Sequence, residues 1–463
     1  MKFRSEHDSL GPVEVPADAL YGAQTTRALH NFQLSGKSSP ASLIRAFLRI
    51  KAAAARANQI CGNLPQETAN GIELAVGDLL KMSHEKWLEI FPIDIYQAGA
   101  GTCLNMNINE VIANLANRNA GENLGEYRPI HPNDHVNQSQ STNDTFPTAM
   151  RLALLEVSAE LEIEAHALAE SFHEKAEKWR NIPKAARTHL QDAVPMRLGQ
   201  EFSAYSDTLF RCARWIHQAR GELRELGIGG SAAGTGINVP KGYIPRIIEQ
   251  LSQLTGETLR SAANLCEAMQ SQSPVFYYSS MLRLLALEMT RICNDLRLLA
   301  SGPMTGFGEL QLPAVQPGSS IMPGKVNPSI PEAVNQTFFA VLGYDQTAAY
   351  ALQAGQLELN VMMPVMAHSL LEASTIATRA LHTLRVKCVA GLEPNLKRLQ
   401  HYFESTPQIA TRLSPRLGYE KTAELVKRSL VTGQTVLALV RQEKLISEAE
   451  LEQLLNLKSL TGI

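Results

Sequence analysis

Apolar residues recur along most of this chain at helical spacing, and the elements they predict are long. The stretch SLIRAFLRIKAAAARANQI, Ser42 to Ile60, combines an alanine run with apolar positions at i, i+3 and i+4, which favours helix. From Phe146 to Arg180 there is no glycine, and the one proline, Pro147, falls near the expected start. That is about 35 residues, or roughly 50 Å of helix. A second run extends from Met196 to Leu226, a third from about Ser273 to Ala300, and a fourth from Pro331 to beyond Met366. Gly343 and Gly355 mark where the fourth would bend or break, and Pro364 where it would kink. Patterns well past about 25 residues predict bundle packing. Their Ala-rich apolar faces exceed what one chain's bundle needs, which predicts burial against other subunits. Beyond Gly391 the pattern breaks into short amphipathic pieces around TPQIATRLSPRLGY, as expected of a small C-terminal domain.

Composition narrows the class. Of 463 residues, 44% are hydrophobic and 19% charged, with a formal net charge of -2. A near-neutral balance offers no electrostatic footprint for nucleic acid or anionic membrane. No apolar run is long enough to span a bilayer, and the polar start MKFRSEHDSLG predicts no signal peptide. Six scattered cysteines without a C-x-x-C pair read as reduced, mostly buried thiols of a cytoplasmic protein. The twelve histidines show no metal-ligand spacing, so no metal is expected.

Four stretches interrupt the helical texture with small, hydroxylated and amide residues. They are QAGAGTCLNMN (Gln97 to Asn107), HPNDHVNQSQSTND (His131 to Asp144), ARTHLQDAVPMRLGQE (Ala186 to Glu201) and GSSIMPGKVNP (Gly318 to Pro328). The last is not a phosphate loop: five residues separate Gly318 from Gly324, and Val326 follows Lys325. Taken singly, each stretch reads as helix capping. Together they supply hydroxyls, amides and backbone N–H groups at helix starts, which suits the holding of carboxylates.

GSSIMPGKVNP, with SQSTND, GAGT–NMN and RTHLQDA, resembles the fumarase/aspartase superfamily, and the likeness runs from RSEHDSLGPVEVPADALYGAQTTR to GYEKTAEL. The resemblance implies a mostly α-helical, three-domain subunit: residues 1–140, a central long-helix bundle at 141–392, and a small domain at 393–463. It also implies a homotetramer whose active sites each draw on three chains, acting on a small dicarboxylate without a cofactor. In that family a proton leaves the carbon beside one carboxylate, an aci-carboxylate forms, and a group departs from the neighbouring carbon to leave fumarate. On this pattern Ser319 is the general base, in a mobile lid. Thr102, Ser141, Thr142 and Ser320 are the donors to the aci-carboxylate, and Lys325, Asn327 and Thr188 hold the other carboxylate.

Two substrates remain open within the family. GAGT, QSTND, DAVPM and AGQLELNVM look like aspartases, in which Asn143 and His189 bound the amino-group site and L-aspartate loses ammonia. His189 with Glu332, an anion site at Arg128, His131, Asn133 and Asp134, and the N-terminal RSEHDSLG look like class II fumarases, which dehydrate malate. Met363 and Cys103 fit neither pattern. A lyase for an N-substituted aspartate and a non-catalytic structural relative complete the alternatives, with intact Ser319, Lys325, Asn327, Thr102 and His189 counting against the last.

Overall fold

Five long helices dominate the computed structural model, in which residues 2–318, 320–456 and 460 are described: Thr142–Lys178, Leu198–Leu223, Ser273–Leu299, Ser329–Gln353 and Met363–Leu384. The chain is mostly α, and its strands, among the described residues, form only two-stranded sheets. No described helix is long and apolar enough to cross a membrane.

The fourth expected run is two helices. It passes Gly343 unbroken and ends before Gly355, and Pro364 opens the next helix instead of kinking the first. Asn360 serves both ends: its amide donates to the Ala351 and Leu352 carbonyls at 3.0 and 3.1 Å, and its oxygen accepts from Met362 N at 2.9 Å. Groups that each helix end leaves unpaired are thus met by one side chain. The two antiparallel hairpins, Phe3–Asp8 with Gly11–Pro16 and Pro183–Thr188 with Gln191–Arg197, have no counterpart in the helical reading.

Two compact units make up the chain. Met1–Glu162, Arg214–Ala286 and Phe339–Ala377 form the first, and Ile163–Ala213, Leu287–Phe338 and Thr378–Ile463 the second. In the first, helix Ala41–Ile60 buries Ile44, Phe47, Leu48, Ile50 and Ala54. It packs on helices Gln66–Leu80, Thr102–Asn119 and Tyr243–Thr255. Helix Thr102–Asn119 carries buried asparagines that pin irregular backbone to it: Asn107 donates to Ile90 O, Asn114 to Leu20 O and Asn117 to Ile130 O, at 2.8–3.0 Å. A buried amide is tolerated because these carbonyls lack a ladder partner of their own.

The second unit holds an aromatic cluster of Phe172, Trp179, Phe202 and Tyr205, with Trp179 edge-on to Phe202 at 4.6 Å between ring centroids. A separate apolar core near the C-terminus gathers Phe403, Ile409, Leu413, Leu425, Val436 and Val440.

Two glycines of the first unit test this packing in opposite directions. Gly101 has φ +78°, and a Cβ there would overlap the Phe146 ring. Gly101→Ala is expected to lower stability by about 2 kcal/mol or more, from backbone strain and overpacking. Gly77 lies mid-helix with nothing near its absent Cβ. Gly77→Ala should be neutral or stabilise by about 0.5–1 kcal/mol. Denaturation midpoints of the two variants check the pair, and an equal effect of both would contradict it.

Candidate active site

In the first unit the GAGT stretch is a tight turn feeding a helix. Gly99–Gly101 is a single 3₁₀ turn in which Ala100 takes φ 59°, a left-handed conformation uncommon for a residue with a Cβ. The turn is tied at both sides: Ala100 N donates to Val361 O at 3.0 Å, and Gln97 Oε1 accepts from Leu104 N at 2.9 Å. Thr102 is thereby placed, exposed, as the first residue of its helix. The Ala100 methyl is buried.

Ser141, Thr142 and Asn143, all half-buried, open helix Thr142–Lys178. The start is a reciprocal cap: Ser141 Oγ accepts from Asn143 N at 3.2 Å, and Asp144 Oδ1 accepts from Ser141 N at 3.0 Å. The second Asp144 oxygen accepts from Gly229 N and Ser231 N at 3.0 and 2.9 Å. Burial pushes the Asp144 carboxyl up to about 6, against the lowering effect of these donors. Asn143 Nδ2 donates to Ala232 O at 2.8 Å. A carbonyl can only accept, so this contact fixes the amide's orientation and leaves Oδ1 as the group able to accept.

Thr142 leans on a buried polar cluster. Asn105 Nδ2 donates to Thr142 Oγ1 at 3.1 Å, and Lys51 Nζ donates to Asn105 Oδ1 at 2.8 Å. Lys51 is wholly buried, which lowers its amine to about 7 although the Asp144 charge acts in the opposite direction.

In the second unit Thr188 and His189 stand exposed at the tip of the Pro183–Thr188/Gln191–Arg197 hairpin. His189 and Leu190 form its two-residue loop with φ 54° and 59°. Two left-handed residues suit the twist of a hairpin, but Asn-Gly is the usual choice, so this tip is strained. Beneath it Lys184 meets Glu201 at 2.7 Å and Glu309 at 3.3 Å, and Arg187 meets Glu309 at 2.8 Å. Glu309 is fully buried and bound by ionic contact, its oxygens lying off the hydrogen-bonding axes. Burial raises the Glu201 carboxyl, while Lys184 lowers it. The Arg187 guanidinium lies over the Phe307 ring at 4.2 Å.

Ser319 lies outside the described residues. Around it, Asn327 Nδ2 donates to Gly318 O at 2.9 Å, closing a neck, and a Cβ on Gly318 would overlap the Lys325 carbonyl oxygen. Ser320 and Lys325 are exposed beyond that neck. Glu332 sits in the first turn of helix Ser329–Gln353, 3.8 Å from Arg297. No hydrogen bond or ion pair joins it to His189 among the described residues.

The structure brings Thr142 together with Asn143 and Ser141, and His189 with Thr188. At the fumarase-like anion stretch, His131 Nδ1 accepts from Asn133 N and Asp134 N at 3.3 and 3.2 Å. Those N–H groups therefore face the imidazole. Arg128 is exposed, and the Asp134 carboxylate lies 3.3 Å from His131 Nδ1. Among the described residues no group of three or more His, Cys, Asp or Glu side chains is placed to hold a metal ion. The six cysteines are unpaired, with Cys212, Cys293 and Cys388 buried.

Sequence reasoning did not single out Lys51, Asn105, Asp144, Lys184 or Glu309. One signal was available. Lys51 falls on the stripe of Phe47, Ala54 and Asn58, whereas Arg45, Arg49 and Arg56 reach the acids Glu156 and Glu73 on the helix's other faces.

Helix starts in the first unit present hydroxyls and amides suited to holding carboxylates, the second unit carries a lysine loop and a strained histidine hairpin, and comparison with known proteins places the chain among lyases. A family model described as a lyase matches residues 11–343, and one described as the fumarase C C-terminus matches residues 409–462. An aspartate ammonia-lyase of Pseudomonas aeruginosa is 45% identical over 456 residues, covering 98% of this chain and 95% of the relative. A fumarate lyase/delta crystallin of Brucella melitensis, solved with cobalt bound, is 42% identical with a TM-score of 0.95 over 99% of each chain. A class II fumarase of Schistosoma mansoni is 33% identical with a TM-score of 0.94 over 98% of each chain. The chain belongs to the fumarase/aspartase superfamily of lyases.

Removing the Glu309 charge would leave Lys184, 2% exposed on its side chain, with Glu201 alone, and Arg187 with no acidic partner among the described residues. Glu309→Gln is expected to cost about 3 kcal/mol, the scale for breaking a buried ion pair from one side. Hydrogen exchange of residues 184–197 should accelerate with it. An unchanged denaturation midpoint would show that the cluster does not hold the hairpin.

Proposed function

We propose that this protein catalyses the reversible elimination of ammonia from L-aspartate to give fumarate. The observation that carries the choice of substrate is the orientation of Asn143, whose NH₂ is turned to Ala232 O by one of its two N–H donors. The oxygen it presents can accept from an ammonium group. An alcohol leaving as water needs a proton donor, and the buried methyl of Ala100 stands where fumarases have a serine. An ammonium leaves already carrying its proton.

The chemistry follows from the family motif. Ser319, whose role rests on the sequence motif alone, removes the proton from the carbon beside the distal carboxylate. That carboxylate gains a second negative charge, and preorganised donors aimed at developing charge usually lower such a barrier more than any other single effect. Thr102, Ser141, Thr142 and Ser320 fill this role. The first three open long helices, whose unpaired N–H groups and dipoles favour negative charge. Lys325, Asn327 and Thr188 hold the second carboxylate, and His189 borders the amino group. Glu332 backs the site as an auxiliary carboxylate, and Arg128, His131, Asn133 and Asp134 are kept as a second anion site. As the C–N bond breaks, its electron pair leaves with ammonia and the enolate electrons form the C=C bond of fumarate. No metal or organic cofactor takes part in this scheme.

The loop from Gly318 to Pro328 acts as the lid. It is pinned at the Asn327–Gly318 neck, and Gly324 takes φ +77°. A cavity of about 800 Å³, lined by Gly302, Leu310, Lys325 and Asn395 among others, gives it room to move. Assembly is read as a homotetramer with sites shared among three chains, in the cytoplasm. Exposed Leu287, Phe339 and Tyr350 on the long helices support a buried subunit contact. The subunit is read as three domains, 1–140, 141–392 and 393–463. The separate core around Leu413 and Leu425 supports the last.

Fumarate formation, followed by its ultraviolet absorbance, should be faster from L-aspartate than from L-malate by kcat/KM. Asn143→Leu should lower the aspartate value about 5- to 150-fold, the scale of one lost hydrogen bond in a buried site. A preference for malate would make the protein a fumarase.

Shared sites make a second expectation. Inactive Ser319→Ala subunits mixed and refolded with inactive Thr188→Ala subunits should regain part of the activity, because some sites in hybrid tetramers carry neither change. Mixtures that stay inactive, or an active monomer in sedimentation, would refute shared sites.

A further inference from the structure

Lys51 has no role in the reading above, yet it is wholly buried and all three of its ammonium protons have partners. Nζ donates to Asn105 Oδ1, Asn137 Oδ1 and Gln140 Oε1 at 2.8, 3.0 and 2.9 Å. Each acceptor is a neutral amide oxygen. In its protonated form Lys51 can only donate, so it fixes which end of each amide faces it. The three NH₂ groups must then point away, and their destinations are specific. Asn105 Nδ2 donates to Thr142 Oγ1 at 3.1 Å and to Asn137 Oδ1 at 3.2 Å. Asn137 Nδ2 donates to Gln140 O at 3.2 Å, and Gln140 Nε2 to Val136 O and Gln138 O at 3.1 and 3.2 Å. Every one of these contacts ends in the segment that delivers Ser141 and Thr142.

The consequence for Thr142 is a matter of proton direction. Its hydroxyl oxygen accepts from an NH₂ group, which cannot accept in return. The single hydroxyl proton therefore turns away from Asn105 and is available to another acceptor. We propose that Lys51 is a positioning residue for the lyase reaction, acting through Asn105 to fix the Thr142 hydroxyl as a donor toward the substrate carboxylate. Asn137 and Gln140 extend the same hold to the backbone just before Ser141. A positive charge is thus relayed as donor polarity from the ammonium through an amide to a hydroxyl, with no contact between Lys51 and substrate. This rests on the reading of Thr142 as a carboxylate donor.

Asn105→Asp separates the relay from the fold. It conserves shape and offers Lys51 a carboxylate, which offsets the lost contact to Asn137 Oδ1, so the denaturation midpoint should stay near that of the unmodified protein. The new side chain has no NH₂ to give Thr142, and the hydroxyl proton would turn inward to the carboxylate. The value of kcat/KM for L-aspartate should then fall about 5- to 150-fold. On a Thr142→Val background the same change should cost less than about twofold, because residues acting as one unit are not additive. Asn105→Leu also cuts the link without adding charge, and should show the same loss and the same non-additivity. A purely structural residue would instead lose stability and activity together, and additively.

The outcomes are distinct. If Thr142→Val loses activity while Asn105→Asp stays within about twofold of the unmodified protein, the relay is wrong and the reading of Thr142 stands. If Thr142→Val keeps full activity, both fail. If neither Asn105 variant folds, Asn105 is structural and the proposal falls.

Discussion

A long α-helix satisfies its backbone polar groups along its own axis and leaves them open only at its ends. In a chain dominated by such helices, the proposed chemistry falls where helices begin and in the loops that lead there. Thr102 is the first residue of its helix, Ser141 to Asn143 form the first turn of another, and Glu332 lies in the first turn of a third. The N-terminal end is also the one whose N–H groups and dipole favour anions. A dicarboxylate substrate and a carbanionic intermediate are what such ends can hold. The same stiffness keeps residues at opposite ends of one helix from meeting, which is why the proposed site draws on several chains.

Helix starts frayed by water would hold nothing in place, and here buried charges steady them. Asp144 joins the Ser141 cap to Gly229 and Ser231, and the adjoining Ala232 carbonyl then sets the Asn143 amide. In the second unit Glu309, Lys184 and Glu201 do comparable work under the His189 hairpin. Such groups are costly to bury, as the raised Asp144 and lowered Lys51 show. Apolar replacements of similar volume are often no less stable. What the charges confer is direction: each fixes which neighbour donates and which accepts.

That distinction explains what could be read from the sequence. Helical periodicity located three of the four long patterns within a few residues at each end, because apolar spacing and absent glycines are local signals. The end of helix Ser329–Gln353 was less legible, since Gly343 and Gly355 look alike in sequence and only the second meets a capping Asn360. The hairpin from Pro183 was hidden because its two-residue tip, His189-Leu190, lacks turn-forming residues. At the site, hydroxyl-rich stretches were visible and their supports were not. Lys51 and Asn105 are 54 positions apart, and Lys184 and Glu309 are farther still in sequence, so only folding shows that they meet.

Substrate choice turns on the same distinction between donor and acceptor. Aspartate and malate offer identical carboxylates, so the carboxylate-holding residues of the proposed reading cannot tell them apart. Discrimination falls to the few groups near the departing atom. On the proposed reading Ala100 contributes there a buried methyl held by a left-handed backbone, and Asn143 an oxygen turned away from the Ala232 carbonyl that its amide nitrogen meets. His189 is compatible with either substrate, since a neutral imidazole can accept from ammonium and its protonated form can donate to a hydroxyl. Glu332 lies 3.8 Å from Arg297. On the proposed reading, Ala100 and Asn143 rather than the histidine carry the choice of leaving group.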